Sequence, residues 1–359
     1  MKKIIFITGF LSNGGSERVI SVLADEFQKR NHDVSVITVY GAKNDYLFNK
    51  KVKIYPINHE SKNKFLKIIN IILGVKNILK KEDPDVVISF DSMINIYTLF
   101  VKLLYNKKVI ISERNDPNQY PNSKFMRKIR NFIYRLCDGI VFQTDDARSY
   151  FKKIIQDKST IIFNPISSNL PIWSGLSQEK TIITASRLTP QKNLPMLINA
   201  FNEISKEFND YKLKIFGEGD LYNELYKQIN ELNINDRVTL EGFSNDIHNE
   251  MLSADMFIIT SNYEGISNSM LEALAIGVPV ISTDSPIGGA KMFINNRKNG
   301  LLIKVGDTNE LIKAMKAILL NKEFAKSLSI ESQKIRKILN TEIIVQQWIE
   351  YIEKVCEKE

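Results

Sequence analysis

Short apolar runs alternate with amphipathic stretches along the whole chain. In the first half the runs fall at 3–8, 33–39, 52–56, 85–90, 108–112, 139–143 and 159–163. Helical periodicity fills most of the gaps; residues 16–30, for instance, place Val19, Leu23 and Phe27 on one stripe. Runs this short and this apolar suit a parallel sheet covered on both faces. Periodicity lapses over residues 164–179, which reads as a linker. Alternation then resumes with runs at 181–185, 212–216, 237–240, 256–260 and 278–282. The pattern predicts two α/β, doubly wound domains in tandem, at 1–168 and 169–340, with ligand sites off the carboxyl ends of their strands. Residues 341–359 form a closing amphipathic helix, with Val345, Trp348, Ile349, Ile352 and Val355 on its apolar side, expected to pack back on the first domain.

The length of 359 residues agrees with two domains, each large enough for its own core. Two cysteines and three histidines supply neither a disulfide framework nor a zinc site, which fits a reducing compartment. Met1-Lys2-Lys3 ahead of an apolar run mimics a signal peptide, but Ser12-Asn13-Gly14-Gly15-Ser16 is a poor cleavage site and a charged helix follows. The run is therefore read as a first buried strand. The apolar stretch at 65–75 contains Lys67 and Asn70 and is too short to span a bilayer. Charge changes the expectation more. Residues 1–170 hold 28 Lys and Arg against 16 Asp and Glu, a net of +12, whereas the remainder is at −4. The first half should meet an anionic partner. No recognition module supports nucleic acid.

Several strand-to-helix junctions carry candidate chemistry. Gly14-Gly15-Ser16 precedes the first helix, where backbone can approach an anion; the plainer alternative is a turn capped by Ser16. Arg187 and Lys192 in Ser186-Arg187-Leu188-Thr189-Pro190-Gln191-Lys192-Asn193 can converge on one diphosphate, or be two solvated loop cations. Gly217 and Gly219 form a tight turn after a strand, and Glu241-Gly242-Phe243 closes the next; both admit plain turn chemistry. Tyr263-Glu264-Gly265-Ile266-Ser267-Asn268-Ser269-Met270-Leu271-Glu272 sets two carboxylates eight positions apart beside a helix N-terminus. Ser269-x-x-Glu272 also matches a capping box, in which the glutamate satisfies a backbone amide.

Taken in order, Gly14-Gly15-x-Glu17-Arg18, Ser186-Arg187-Leu188…Lys192-Asn193, Gly217-x-Gly219 and Glu264-x7-Glu272 resemble the retaining glycosyltransferases of family 4, also called glycosyl transferases group 1. Within that family they are most similar to bacterial enzymes adding N-acetylhexosamines to lipid-linked oligosaccharides. The resemblance implies a GT-B fold, two Rossmann-like domains facing across a cleft. It implies transfer of a sugar, GalNAc or GlcNAc, from a UDP-sugar to a lipid-linked oligosaccharide or polysaccharide precursor in α linkage. Arg187, Lys192 and the Gly15 backbone would hold the diphosphate, Glu272 the ribose, and Glu264 the transferred sugar. Amides of Ile266, Ser267, Asn268 and Ser269 would line diphosphate and sugar, and Gly242 and Phe243 would face the base. Arg187, Lys192 and Glu264 would be the catalytic set. No cofactor or metal is required by this chemistry, and no D-x-D cluster of the metal-dependent kind is recognised. Where relatives often carry a histidine, this chain has Arg114. Ser285-Pro286-Ile287-Gly288-Gly289-Ala290-Lys291 lacks the acidic residue common after the glycines.

Residues 124–135 read as a basic helix with interleaved aromatics. Arg127, Lys128 and Arg130, with Arg114, are candidates for an acceptor or anionic membrane contact, on the inner face of the cell membrane. The alternative packs Phe125, Ile129 and Phe132 inward. Two other functions stay open: a non-catalytic nucleotide-sugar-binding partner subunit of another transferase, and a nucleotide-sugar epimerase.

Overall fold

The computed structural model describes residues 1–11, 14–41, 51–57, 63–167, 169–175 and 179–357. Ser12, Asn13, Ser168 and residues 176–178 of the expected turn and linker lie outside them. The chain divides into two compact units, one of residues 1–165 with 341–359 and one of 166–340.

The first unit is built on β1 (Lys3–Thr8), β2 (Asp33–Thr38), β3 (Lys53–Pro56), β4 (Val86–Phe90), β5 (Lys108–Ser112), β6 (Gly139–Phe142) and β7 (Ser159–Ile161). The strand order among the described residues is β3-β2-β1-β4-β5-β6-β7, and every pairing is parallel. Ile4, Ile5, Phe6 and Ile7 of β1 are all buried, as the unbroken apolar run requires of a central strand with helices on both faces. The closing helix Thr341–Glu357 seals this unit. Its Trp348 is fully buried and stacks on Phe90 at 5.8 Å. Its Tyr351 hydroxyl accepts from Ile140 N at 2.8 Å, so an element near the end of the chain is fastened to β6.

The second unit carries β8 (Thr181–Ala185), β9 (Lys212–Phe216), β10 (Val238–Gly242), β11 (Met256–Ile259), β12 (Val280–Thr283) and β13 (Leu301–Ile303). Their order, β10-β9-β8-β11-β12-β13, is the 3-2-1-4-5-6 arrangement of a dinucleotide-binding sheet, whose crevice opens where the order reverses. That reversal lies between β8 and β11, the two strands leading into the Arg187 and Glu264 loops. The apolar run read at 278–282 starts as strand only at Val280, because Gly277 ends the preceding helix in the left-handed region (φ 96°). β13, three residues long, was not among the runs read from the sequence.

Candidate active site

Beyond β8, β9 and β10 the three loops are stitched together by backbone bonds. Ser186 N donates to Phe216 O at 3.0 Å, Gly217 N to Gly242 O at 2.7 Å, and Leu188 N to Glu218 O at 2.9 Å. The stitching needs glycine at 217: φ is 130°, and a Cβ there would lie 1.9 Å from Ser186 O. Gly217 thus acts by letting two loops touch. Above it, Arg187 is exposed, while Ser186 Oγ and Thr189 Oγ1 are buried without a hydrogen-bond partner. Gly242 (φ 73°) turns the chain after β10 and leaves Phe243 45% exposed on the same edge.

Lys192 closes the single turn Pro190–Lys192, ahead of the helix Leu194–Glu207. Its backbone carbonyl accepts from Thr260 Oγ1 at 2.8 Å, and the neighbouring Gln191 carbonyl accepts from Asn262 N at 2.8 Å. These bonds clamp the β8 loop to the β11 loop. They deliver Lys192 Nζ to both carboxylate oxygens of Glu264, at 2.9 and 2.8 Å. The two side chains are only 10% and 16% exposed, so each is the other's charge compensation in a poorly solvated site. Gln191 Nε2 donates to Tyr263 O at 3.0 Å and fixes the same loop. From the other side, Glu264 N donates to Pro286 O at 3.2 Å. A Cβ on Gly289 would fall 1.7 Å from Gly265 O, so the glycine pair without its acidic neighbour serves a close backbone approach. The sequence signal for this was the pair itself.

Helix Asn268–Ile276 starts in this loop. Its N-cap is Ser267, whose Oγ accepts from Met270 N at 3.3 Å, and Ser269 Oγ donates to Ala185 O at 3.0 Å, tying the helix start to the end of β8. This corrects the capping-box alternative. With Ser267 as cap, Glu272 lies two positions beyond the box glutamate, and it bonds elsewhere. Glu272 is 4% exposed, and its Oε2 lies 3.0 Å from His248 Nε2. His248, on the helix Ile247–Leu252 that follows β10, was missed by the sequence reading because nothing local links residues 24 positions apart. Ile266 is buried, and Asn268 opens the helix.

In the first unit, helix Gly15–Lys29 is capped by Gly14, not by Ser16, with no side-chain cap bond. Arg114 is part-buried. Its guanidinium lies 4.4 Å over the Phe90 ring and bonds Asn164 Oδ1, with Nε and Nη2 withdrawn from solvent. Burial lowers its pKa. Arg130, by contrast, is buried and cannot touch a membrane. It is 0% exposed, and its Nη2 donates to Pro117 O and Asn131 Oδ1, both at 2.9 Å. Arg127 Nη1 donates to Pro121 O at 2.7 Å and Asn122 O at 3.0 Å. Both arginines hold down the preceding turn, and of the three helix candidates only Lys128 is exposed. Phe125 and Phe132 are each 69% exposed, against the alternative that packs them inward. A cavity of about 410 Å³ opens past β1 and β2, lined by Phe10, Tyr40, Lys67, Ile68, Ile71 and Tyr97. Lys67 Nζ stands 5.4 Å over the Tyr40 ring. The one Asp-x-Asp string, Asp83-Pro84-Asp85, lies before β4 at the opposite edge, where Asp85 accepts from Lys3 N at 2.7 Å and Asp83 pairs with Lys107 at 2.6 Å.

Comparison with known proteins agrees with this architecture. Residues 13–170 match the Glycosyltransferase Family 4 model and residues 173–335 match Glycosyl transferases group 1. A Campylobacter jejuni protein named GalNAc-alpha-(1->4)-GalNAc-alpha-(1->3)-diNAcBac-PP-undecaprenol alpha-1,4-N-acetyl-D-galactosaminyltransferase is 27% identical, covering 99% of both chains. A second from that organism, N-acetylgalactosamine-N,N'-diacetylbacillosaminyl-diphospho-undecaprenol 4-alpha-N-acetylgalactosaminyltransferase, is 25% identical over 98% of this chain and all of its own. Among solved structures, Anabaena HepE in complex with UDP and glucose superposes with a TM-score of 0.86 at 17% identity, covering 98% of this chain and 100% of that one. With two tandem Rossmann-like sheets and a matching model over each half, the chain belongs to the glycosyltransferases of the family 4 and group 1 type and has the GT-B fold.

Proposed function

We propose that the enzyme moves an N-acetylhexosamine, GalNAc or GlcNAc, from a UDP-sugar to a lipid-linked oligosaccharide or polysaccharide precursor, keeping the α configuration. The observation that carries this reading is the cluster off β8 and β11. There Lys192, Glu264 and the start of helix Asn268–Ile276 are held together beside the exposed Arg187. An ammonium has three donors, so Lys192 can keep Glu264 and still meet a phosphate oxygen. Arg187 adds a planar fork, and the helix N-terminus favours the negative charge that grows on the departing diphosphate. Glu264, fixed by Lys192, accepts from hydroxyls of the transferred sugar, and the buried Glu272 accepts from the ribose. The acceptor hydroxyl attacks the anomeric carbon on the face the diphosphate leaves, and the diphosphate oxygen takes its proton. Charge placement then supplies the catalysis, and the scheme assigns no step to a metal.

The names of the Campylobacter relatives favour a polyprenyl-diphosphate acceptor. In this reading the cavity past β1 and β2 receives the acceptor, with apolar walls for a lipid and Lys67 for a phosphate. Phe125, Lys128 and Phe132, at i, i+3 and i+7 on helix Lys124–Ile133, form an exposed stripe suited to an anionic leaflet. The enzyme would then work peripherally at the cytoplasmic membrane face. Among the described residues no helix is long and apolar enough to cross a membrane.

A panel of UDP-sugars, with and without a polyprenyl-diphosphate-linked acceptor, tests the reading through UDP release and the anomeric configuration of the product. UDP-GalNAc or UDP-GlcNAc should be consumed selectively to an α-linked product. An epimerised sugar with UDP retained, or no turnover of any UDP-sugar, would overturn it.

A further inference from the structure

We infer that His248 is a positioning residue for the donor nucleotide, holding the Glu272 carboxylate where it accepts from the ribose hydroxyls. The inference rests on the reading above, in which Glu272 meets the ribose. Glu272 lies on a helix whose residues from Met270 to Ile276 are all buried. A carboxylate in such a place is costly unless hydrogen-bonded. His248 Nε2 lies 3.0 Å from Oε2, and because a carboxylate only accepts, Nε2 carries a proton whether the ring is neutral or charged. The bond sets the rotation of the carboxyl plane. Ionised carboxylate oxygens offer about four acceptor positions, and the bond from His248 uses one of them. His248 is itself 30% exposed and stands on the β10 connection that also presents Phe243, so it borders the site from the base side. Nothing in the motifs calls for a histidine here; the contact exists only because the helix Ile247–Leu252 packs against Asn268–Ile276.

Calorimetric titration of the full-length protein with UDP and with 2′,3′-dideoxy-UDP decides the matter. His248→Ala should weaken UDP binding about tenfold or more, the ordinary effect of losing a hydrogen bond to a charged group. His248→Gln, whose amide nitrogen reaches where Nε2 stands, should recover most of it. His248→Asn, which is too short, should behave like the alanine variant and repeats the test should alanine unsettle the fold. For dideoxy-UDP the wild type and all three variants should agree within about twofold, since the hydroxyl contacts His248 serves are missing from the ligand. Unchanged UDP affinity in His248→Ala, or an equal loss for both ligands, would overturn the positioning role and leave the nucleotide-sugar reading intact. A wild type that binds no UDP would overturn that reading itself.

Discussion

At the scale of single residues, the carboxylates of the site each have a partner, Glu264 in Lys192 and Glu272 in His248, while Arg187 is exposed. Removing the Lys192 ammonium takes away the cation proposed for the diphosphate and also leaves Glu264 without its ion-pair partner. We expect Arg187→Ala and Lys192→Ala each to lower the turnover of a UDP-sugar by about two to three orders of magnitude, as when one donor to a developing anion is removed. Near-wild-type UDP release in both would remove them from the mechanism. Asp91, at the end of β4, offers a prediction from pH. Burial first, then the charges of Glu113 and Glu17, push its carboxyl up to about 7, while Met93 N, donating at 2.9 Å, works the other way. The native pKa is above the unfolded value, so the carboxyl's contribution to stability is greatest in acid and is lost as pH rises through 7. Asparagine caps a helix as well as aspartate does, so the substitution can keep the Met93 bond. Asp91→Asn should therefore melt higher than wild type at pH 8, with the gap narrowing toward pH 5. A constant difference across that range would show the carboxyl does not titrate as described.

At the scale of elements, loops are placed by contacts no single segment encodes. Gly217 has both a left-handed φ and a backbone oxygen where a Cβ would go. Gly217→Ala should cost more than about 1 kcal/mol, a fall of at least roughly 2–4 °C in melting temperature for a unit of this size. An unchanged melting curve would mean the two loops are not in contact. The helix Lys124–Ile133 divides its labour differently from the expectation. Its arginines face inward onto the carbonyls of the turn before it, and its phenylalanines face out. Phe125→Ser with Phe132→Ser should abolish sedimentation with anionic vesicles while leaving the melting temperature within about 1 °C, because exposed side chains carry little folding energy. Retained sedimentation would move the membrane contact elsewhere.

At the scale of the molecule, the excess of basic residues lies in the half assigned to the acceptor and the membrane. Vesicle binding should weaken steeply as salt rises from about 0.05 to 0.5 M, since screening shortens the reach of exposed charge. Binding indifferent to salt would assign the attachment to apolar contact alone. Much of this architecture was legible beforehand. For β1 to β12 the strand ends agree with the apolar runs to within two residues, and helix Thr341–Glu357 begins where its amphipathic period begins. Burial on both faces imposes an unbroken apolar run, and that run is a property of consecutive residues. The Arg187, Lys192, Glu264 and Glu272 spacing was legible because all four fall in the short loops after β8 and β11 or in the helices those loops lead into. What tertiary structure alone decided are the partners: Glu264 with Lys192, Glu272 with His248, Gly289 under Gly265, and Arg114 and Arg130 turned inward. The first three are set by which strands lie side by side in a parallel sheet, where neighbours in space are a whole crossover apart in sequence, and Arg130 by the fold of its helix over the turn before it.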